Sequence, residues 1–250
     1  MKLKLISCEV FQPEFEQAVK QGKSDLSIEF LPFGLHEKPD ELRTQLQERI
    51  DAVPAGVYGA ILVGYCLCSR AVIGITARHT PLVLPKAHDC ITVLLGSRQR
   101  YDEEFAREPG TYYYSSGWIA QSERIGGSPF DMPSQNGPAQ RRYAEYVSKY
   151  GEDNARYLTE IESAWTTRYS RAAFINTNVG DIPHYRDFVK KVAADNKWKY
   201  EEIPSDLGLI SRFLDGRWNG DFLVVPPGHR ITARYDSEVL GYEPLKRQEK

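Results

Sequence analysis

Three short apolar runs in the first third of the chain each lead directly into sulfur or imidazole side chains. KLKLIS (2–7) runs into Cys8, GAILVGY (59–65) into Cys66 and Cys68, and PLVLP (81–85) into His88 and Cys90. Runs that are apolar throughout, rather than alternating, are those of strands buried on both faces of a parallel sheet. Between them the period changes. PEFEQAVKQ (13–21) reads as a helix with Pro13 in its first turn. LSIEFL (26–31) reads as a strand entering a loop at Pro32 to His36. KPDELRTQLQERIDAV (38–53) places Leu42, Leu46 and Ile50 on one helix face, which Pro54 and Gly56 terminate. Ser69 to Arg78 reads as a short helix. From Asp89, an N-cap residue type, Ile91, Leu94 and Leu95 bury one side of a further helix whose exterior is RQRYDEEFAR. The order β-α-β-α-β-α-β-α predicts a parallel sheet with crossover helices.

The pattern breaks after Glu108. TYYYS (111–115) reads as an aromatic strand, followed by a Gly-, Pro- and Ser-rich stretch without period, and then by helices broken at Gly151. RAAFIN, KYEEIP and DFLVV are further strands, separated by the helices IPHYRDFVKKVAADNKW and DLGLISRFL. The expected fold is therefore α/β and Rossmann-like, in two similar lobes with a cleft at the C-terminal ends of their strands. An N-terminal lobe would span 1–110, an aromatic strand, loop and connecting helices 111–165, and a C-terminal lobe 166–250.

Composition narrows the function classes. An apolar fraction of 41%, a charged fraction of 26% and a net charge of −2 are those of an ordinary globular protein, with basic residues dispersed rather than striped, which argues against a nucleic-acid partner. No apolar run approaches the roughly 20 residues that cross a membrane. MKLKLISCEVF is too short, and too soon interrupted by Glu9 and Glu14, to read as a secretory signal, so a cytoplasmic location is expected. Thiols stay reduced there, and gathered cysteines point to metal or catalysis more than to disulfides.

In open α/β sheets the C-terminal edge of the strands is where ligands bind. The residues expected to converge there are Cys8, Cys66 or Cys68, and Cys90, with His88 as alternate ligand or acid/base. Thiolates bind zinc and iron-sulfur clusters because soft anionic sulfur suits these metals, and three thiolates leave the fourth position to His88 on zinc or to an open iron of a cluster. Buried structural cysteine is the competing reading. Lys86 is a candidate for an anionic substrate group. Tyr112 and Tyr114 share one face of a strand, Tyr113 taking the other, and form either an aromatic wall for a cationic substrate or core. Ser115, Ser116 and Gly117 read as a turn. There is no G-x-G-x-x-G, P-loop or G-x-S-x-G pattern.

ISCEVF, GYCLC, PLVLPKAHDCITVLLGSRQRY, PGTYYYSSGW and FLVVPPG together resemble the family catalogued as domain of unknown function 1638, over nearly the whole chain. The resemblance implies metal ligation by Cys8, Cys68 and Cys90, with Cys66 a bystander. Members of that family are associated with corrinoid-dependent methyl transfer from methylamines. The implied function is a metal-dependent enzyme or accessory protein of one-carbon metabolism, acting on a small molecule beside a corrinoid protein or methyltransferase. The alternative is a non-catalytic carrier of a metal, cluster or corrinoid.

Overall fold

The computed structural model describes residues 1–21, 25–67, 70–124, 138–236 and 238–245. The first part of the chain forms β1 (Leu3–Cys8), α1 (Gln12–Gln21), β2 (Leu26–Leu31), α2 (Pro39–Asp51), β3 (Ala60–Gly64), the two-residue β4 (Thr76–Ala77), β5 (Leu82–Pro85) and α3 (Cys90–Leu95). Then come α4 (Arg98–Arg107), β6 (Thr111–Ser115), α5 (Ser116–Arg124), α6 (Pro138–Tyr150), α7 (Glu152–Ser163), β7 (Arg171–Asn176), α8 (Ile182–Asn196) and β8 (Lys199–Pro204). The chain closes with α9 (Gly208–Leu214), β9 (Phe222–Val225), β10 (His229–Ala233) and β11 (Leu240–Pro244). Two compact units result, one of Met1–Arg98 with Asp206–Lys250, the other of Gln99–Ser205.

The first unit is built on a mostly parallel sheet in the order β2-β1-β3-β5-β9. Leu5, Ile6, Ile61, Leu62, Val63 and Val83 are all buried, as the unbroken apolar runs require of strands covered on both faces. The chain leaves β1 through α1 to reach β2 on one side, then returns through α2 to β3 on the other. Right-handed crossovers running in opposite directions put α1 and α2 on opposite faces of the sheet. Contacts agree: α1 packs on α9 and α9 on α3, with the Phe15 and Phe213 rings 6.2 Å apart, whereas α2 holds the 70–77 segment through Gln47, whose Oε1 accepts from Thr76 N at 2.7 Å. Leu42, Leu46 and Ile50 are its buried face, at the expected spacing.

The sequence reading grouped DFLVV with the strands before it, and this is corrected. β9 pairs antiparallel with β5, Leu82 opposite Val225 and Pro85 opposite Phe222, because β5 otherwise ends the sheet with an unpaired backbone edge. A second small sheet, β11-β10-β4, was not anticipated. Nor is there one helix from Asp89 to Arg107. Gly96, at φ +94°, ends α3 and α4 begins two residues on, and a Cβ at Gly96 would lie 2.5 Å from the Asp206 carbonyl oxygen.

The second unit has the parallel sheet β6-β7-β8. Tyr112 and Tyr114 do share a face. Their rings pack with Trp118, Tyr169, Trp198 and Phe188 in an aromatic core, Tyr112 to Tyr114 at 5.0 Å and Tyr114 to Trp118 at 5.2 Å. Ser115 to Gly117 is a correction: the strand passes straight into α5, with the Ser115 hydroxyl accepting from Trp118 N at 3.2 Å in place of a turn. The Gly-, Pro- and Ser-rich stretch 125–137 lies outside the described residues.

On the other side of the same sheet a charged network is buried. Arg171, 1% exposed, donates to Thr111 Oγ1 at 2.7 Å and pairs with Glu104 at 3.1 Å and Glu201 at 3.0 Å, and Arg107 bridges the same two carboxylates. On the aromatic-core face of the sheet, Glu202 is gripped by both Nε and Nη2 of Arg186, by Asn176 and by the Tyr200 hydroxyl. Hydrogen bonds from Arg107 hold the Glu201 carboxyl at about 2, and those from Arg186 hold Glu202 at about 2, both below the ordinary 4.5.

Two predictions follow from this packing. A Cβ at Gly64 would stand 2.5 Å from Ser7 Cβ and 3.0 Å from the Phe15 ring, so Gly64→Ala should cost about 2 kcal/mol in denaturant unfolding, and Ser7→Gly should restore part of it. Glu201 and Glu202 have folded pKa values below their unfolded ones. They therefore stabilise the fold above about pH 4.5, and that contribution disappears as pH falls towards 2. Glu201→Gln should destabilise by about 2 kcal/mol at pH 7, and its thermal midpoint should converge with the wild-type value near pH 2.

Candidate thiol site at the sheet rim

β1 and β3 are neighbours whose following connections depart in opposite directions, and the C-terminal ends of such a pair leave a crevice. Cys8 is the last residue of β1 and Cys66 lies two residues past β3. The strands stand in register with Ser7 opposite Gly64. The Ser7 hydroxyl lies 3.2 Å from the carbonyl oxygens of both Gly64 and Cys8, and the lack of a side chain at Gly64 is what lets it approach. Cys8 Sγ accepts from Val10 N at 3.5 Å, which starts the helical turn leading to α1.

The next strand end is tied to the same place. Leu67 N donates to Ala87 O at 3.0 Å, so the chain just after Cys66 is fastened to the chain just before His88. Asp89 caps α3 as expected, accepting from Thr92 N at 3.0 Å and from its hydroxyl at 3.1 Å, and Cys90 is the first residue of that helix. Cys8, Cys66 and Cys90 thus stand at the ends of three adjacent strands on one edge. Cys8 and Cys66 are buried, Cys90 is half-buried and His88 is exposed. Cys68 lies outside the described residues.

Lys86 is also on this edge, and it is paired. Its ammonium, with the side chain only 13% exposed, meets the carboxylate of Glu238 from the β10–β11 turn. That contact holds the Glu238 carboxyl below its usual range, with the nearby Arg98 charge adding to it. Tyr112 and Tyr114 belong to the second unit and are the aromatic core already described.

Three residues at this rim were not singled out from the sequence. Glu14, in the first turn of α1, is fully buried, beside Phe15, whose ring lies against the end of β3 at Gly64. A carboxyl so placed is costly unless charges, hydrogen bonds or a proton satisfy it. The signal was an acidic residue one place before a core phenylalanine. His36, in the loop after β2, has its imidazole pushed down by burial from the ordinary 6.5, with the nearby Glu37 opposing, and is a neutral base or ligand at pH 7. It follows its strand as the cysteines follow theirs. Glu9 accepts from Phe33 N at 2.8 Å and anchors the His36 loop to the end of β1.

The donor type suits zinc or an iron-sulfur cluster, since all the rim sulfurs are potential thiolates. The expected convergence of Cys8, Cys66 and Cys90 is corrected: among the described residues no group of three or more His, Cys, Asp and Glu side chains is gathered to hold a metal ion, and the remaining candidate, Cys68, lies outside them. Also among the described residues, no helix is long and apolar enough to cross a membrane.

A family model described as "Protein of unknown function (DUF1638)" matches residues 30–214, well over half of the chain. The match takes in Cys66, Cys68, His88 and Cys90 but not Cys8 or β9, a shorter span than the resemblance suggested. No match was found among curated proteins or among solved structures.

Burial ranks the thiols. Brief alkylation of the native protein should label Cys90 well before Cys8 and Cys66, as read by peptide mass spectrometry, and denaturant should abolish the order.

Proposed function

We propose that this chain, which belongs to the DUF1638 family, works at the rim where β1, β3 and β5 end. Its function there is that of a metal-dependent enzyme or accessory protein in one-carbon, corrinoid-linked methyl transfer. Cys8, Cys68 and Cys90 are the proposed thiolate ligands, and zinc or an iron-sulfur cluster the proposed centre. The observation that carries this is the placement of cysteines at and past the ends of adjacent strands beside the reversal of strand order, with the Leu67 to Ala87 bond tying the loop after β3 to the chain before His88. The one-carbon assignment comes from the association of family members with corrinoid-dependent methyl transfer.

When bound, zinc polarises an oxygen or activates a thiol, and a cluster with an open iron binds substrate there. The chain's own residues supply the rest. His88, exposed beside Cys90, is the proposed acid/base for a substrate proton, and His36, neutral at pH 7, is a second base on the opposite side of Cys8. The Ser7 hydroxyl and the Val10 N–H fix the end of β1, so that Cys8 is presented from a rigid strand rather than a loop.

Protein purified without oxygen should carry zinc or iron with sulfide by elemental analysis, a cluster also giving brown colour with a broad absorption shoulder. Cys8→Ala, Cys68→Ala and Cys90→Ala should each lose the metal, while Cys66→Ala keeps it. Protein that stays metal-free after reconstitution with zinc, or with iron and sulfide, would sink the proposal.

A further inference from the structure

We propose that Lys86 is the cation of an anion site at the rim, occupied by the Glu238 carboxylate in the free protein. A ligand carrying a dianionic phosphate group then binds by displacing Glu238. This rests on the rim being the working edge, as in the reading above, but not on a metal.

A lysine as enclosed as Lys86 is seldom found without a partner, and here the partner comes from 152 positions along the chain. It is delivered by a turn that is held in an uncommon shape. Val239, β-branched and buried, has φ +64°, in the left-handed region that such residues avoid. The turn persists because its hydrogen bonds over-determine it: Arg234 N to Val239 O at 2.9 Å, Val239 N to Asp236 O at 3.2 Å, and Glu238 N to Asp236 Oδ1 at 3.0 Å. Arg234 in turn clamps the Asp236 carboxylate. Backbone strain gathers where a structure holds a group in place for use, and the group this turn holds is Glu238.

The asymmetry of burial suits displacement. Lys86 is fixed at the end of β5, its N–H donating to Asp221 O at 2.8 Å, whereas the Glu238 side chain is 43% exposed and can swing outward without opening the core. The charge sets the ligand class. Glu238 is tethered beside Lys86, so an incoming carboxylate, carrying the same single charge, gains nothing over it. A phosphate dianion faces the Lys86 ammonium with twice the charge and three acceptor oxygens. Exposed His88 and the Asp89-capped start of α3 lie two and three residues beyond Lys86, so the phosphate would anchor a ligand whose other end reaches the proposed acid/base and Cys90.

The test is a calorimetric titration of inorganic phosphate, at constant ionic strength, into the full chain and its variants. Glu238→Gln should bind phosphate at least about fivefold more tightly than wild type, because an internal competitor is removed. Adding Lys86→Gln to Glu238→Gln should abolish the gain, with circular dichroism checking the fold. Acetate should bind neither wild type nor variant measurably. The inference is overturned if Glu238→Gln binds no better, if the double variant keeps the gain, or if acetate matches phosphate. Metal content measured on the same preparations separates the two proposals. Metal-free protein with the full phosphate pattern removes only the thiolate centre, and metal-loaded protein indifferent to Glu238 removes only the anion site.

Discussion

The close approach of β1 and β3 is the constraint on which the first unit depends. These two strands are the middle of the parallel sheet, and the chain departs from their ends in opposite directions, so no crossover covers the gap between them. Ser7 and Gly64 meet there with no room for a β-carbon on the glycine, which fixes strand spacing at the very point where both strands give way to functional loops. Buried aliphatic residues on both faces supply the cohesion, each worth roughly 1.5–3 kcal/mol on burial. That reserve lets the rim above carry polar and strained groups.

Those groups are not loosely placed. Three loops at the rim are fastened to their neighbours: the loop after β2 to Glu9, the loop after β3 to Ala87, and the β10–β11 turn to Lys86, while Asp89 caps the start of α3. Loops carry function when a rigid scaffold positions them, and here the fastening runs from strand end to strand end along the sheet. The second unit handles charge differently. Its Arg171 network, with Arg171 itself buried and Arg107 of α4 at the surface, pairs every member with at least two others, which marks it as a structural device rather than a site.

Legibility in the sequence followed from how local each signal is. The apolar runs of β1, β3 and β5, the i, i+4 face of α2 and the Asp89 cap are set by neighbours within a few residues, and each was readable. The pairing of β9 with β5 was not, because Phe222 to Val225 looks the same whether it joins the strands before it or an edge 140 residues earlier. β10 and β11 read as tail because their partly exposed, alternating residues carry no continuous run. At the site, the cysteines and His88 stood out by type and by position after strands. Glu14, His36 and Glu238 did not, since burial of a first-turn glutamate, of a loop imidazole and of a lysine's distant partner are all tertiary facts.

The burial gradient across the rim also sets the direction of approach. His88 is exposed and Cys90 half-buried, while Cys66, Cys8 and Glu14 are all buried. The β5 end of the edge is therefore the part a ligand meets first. The group it meets at the β5 end besides His88 and Cys90 is Lys86, whose charge is already answered by Glu238, so entry there exchanges one anion for another instead of burying a new charge.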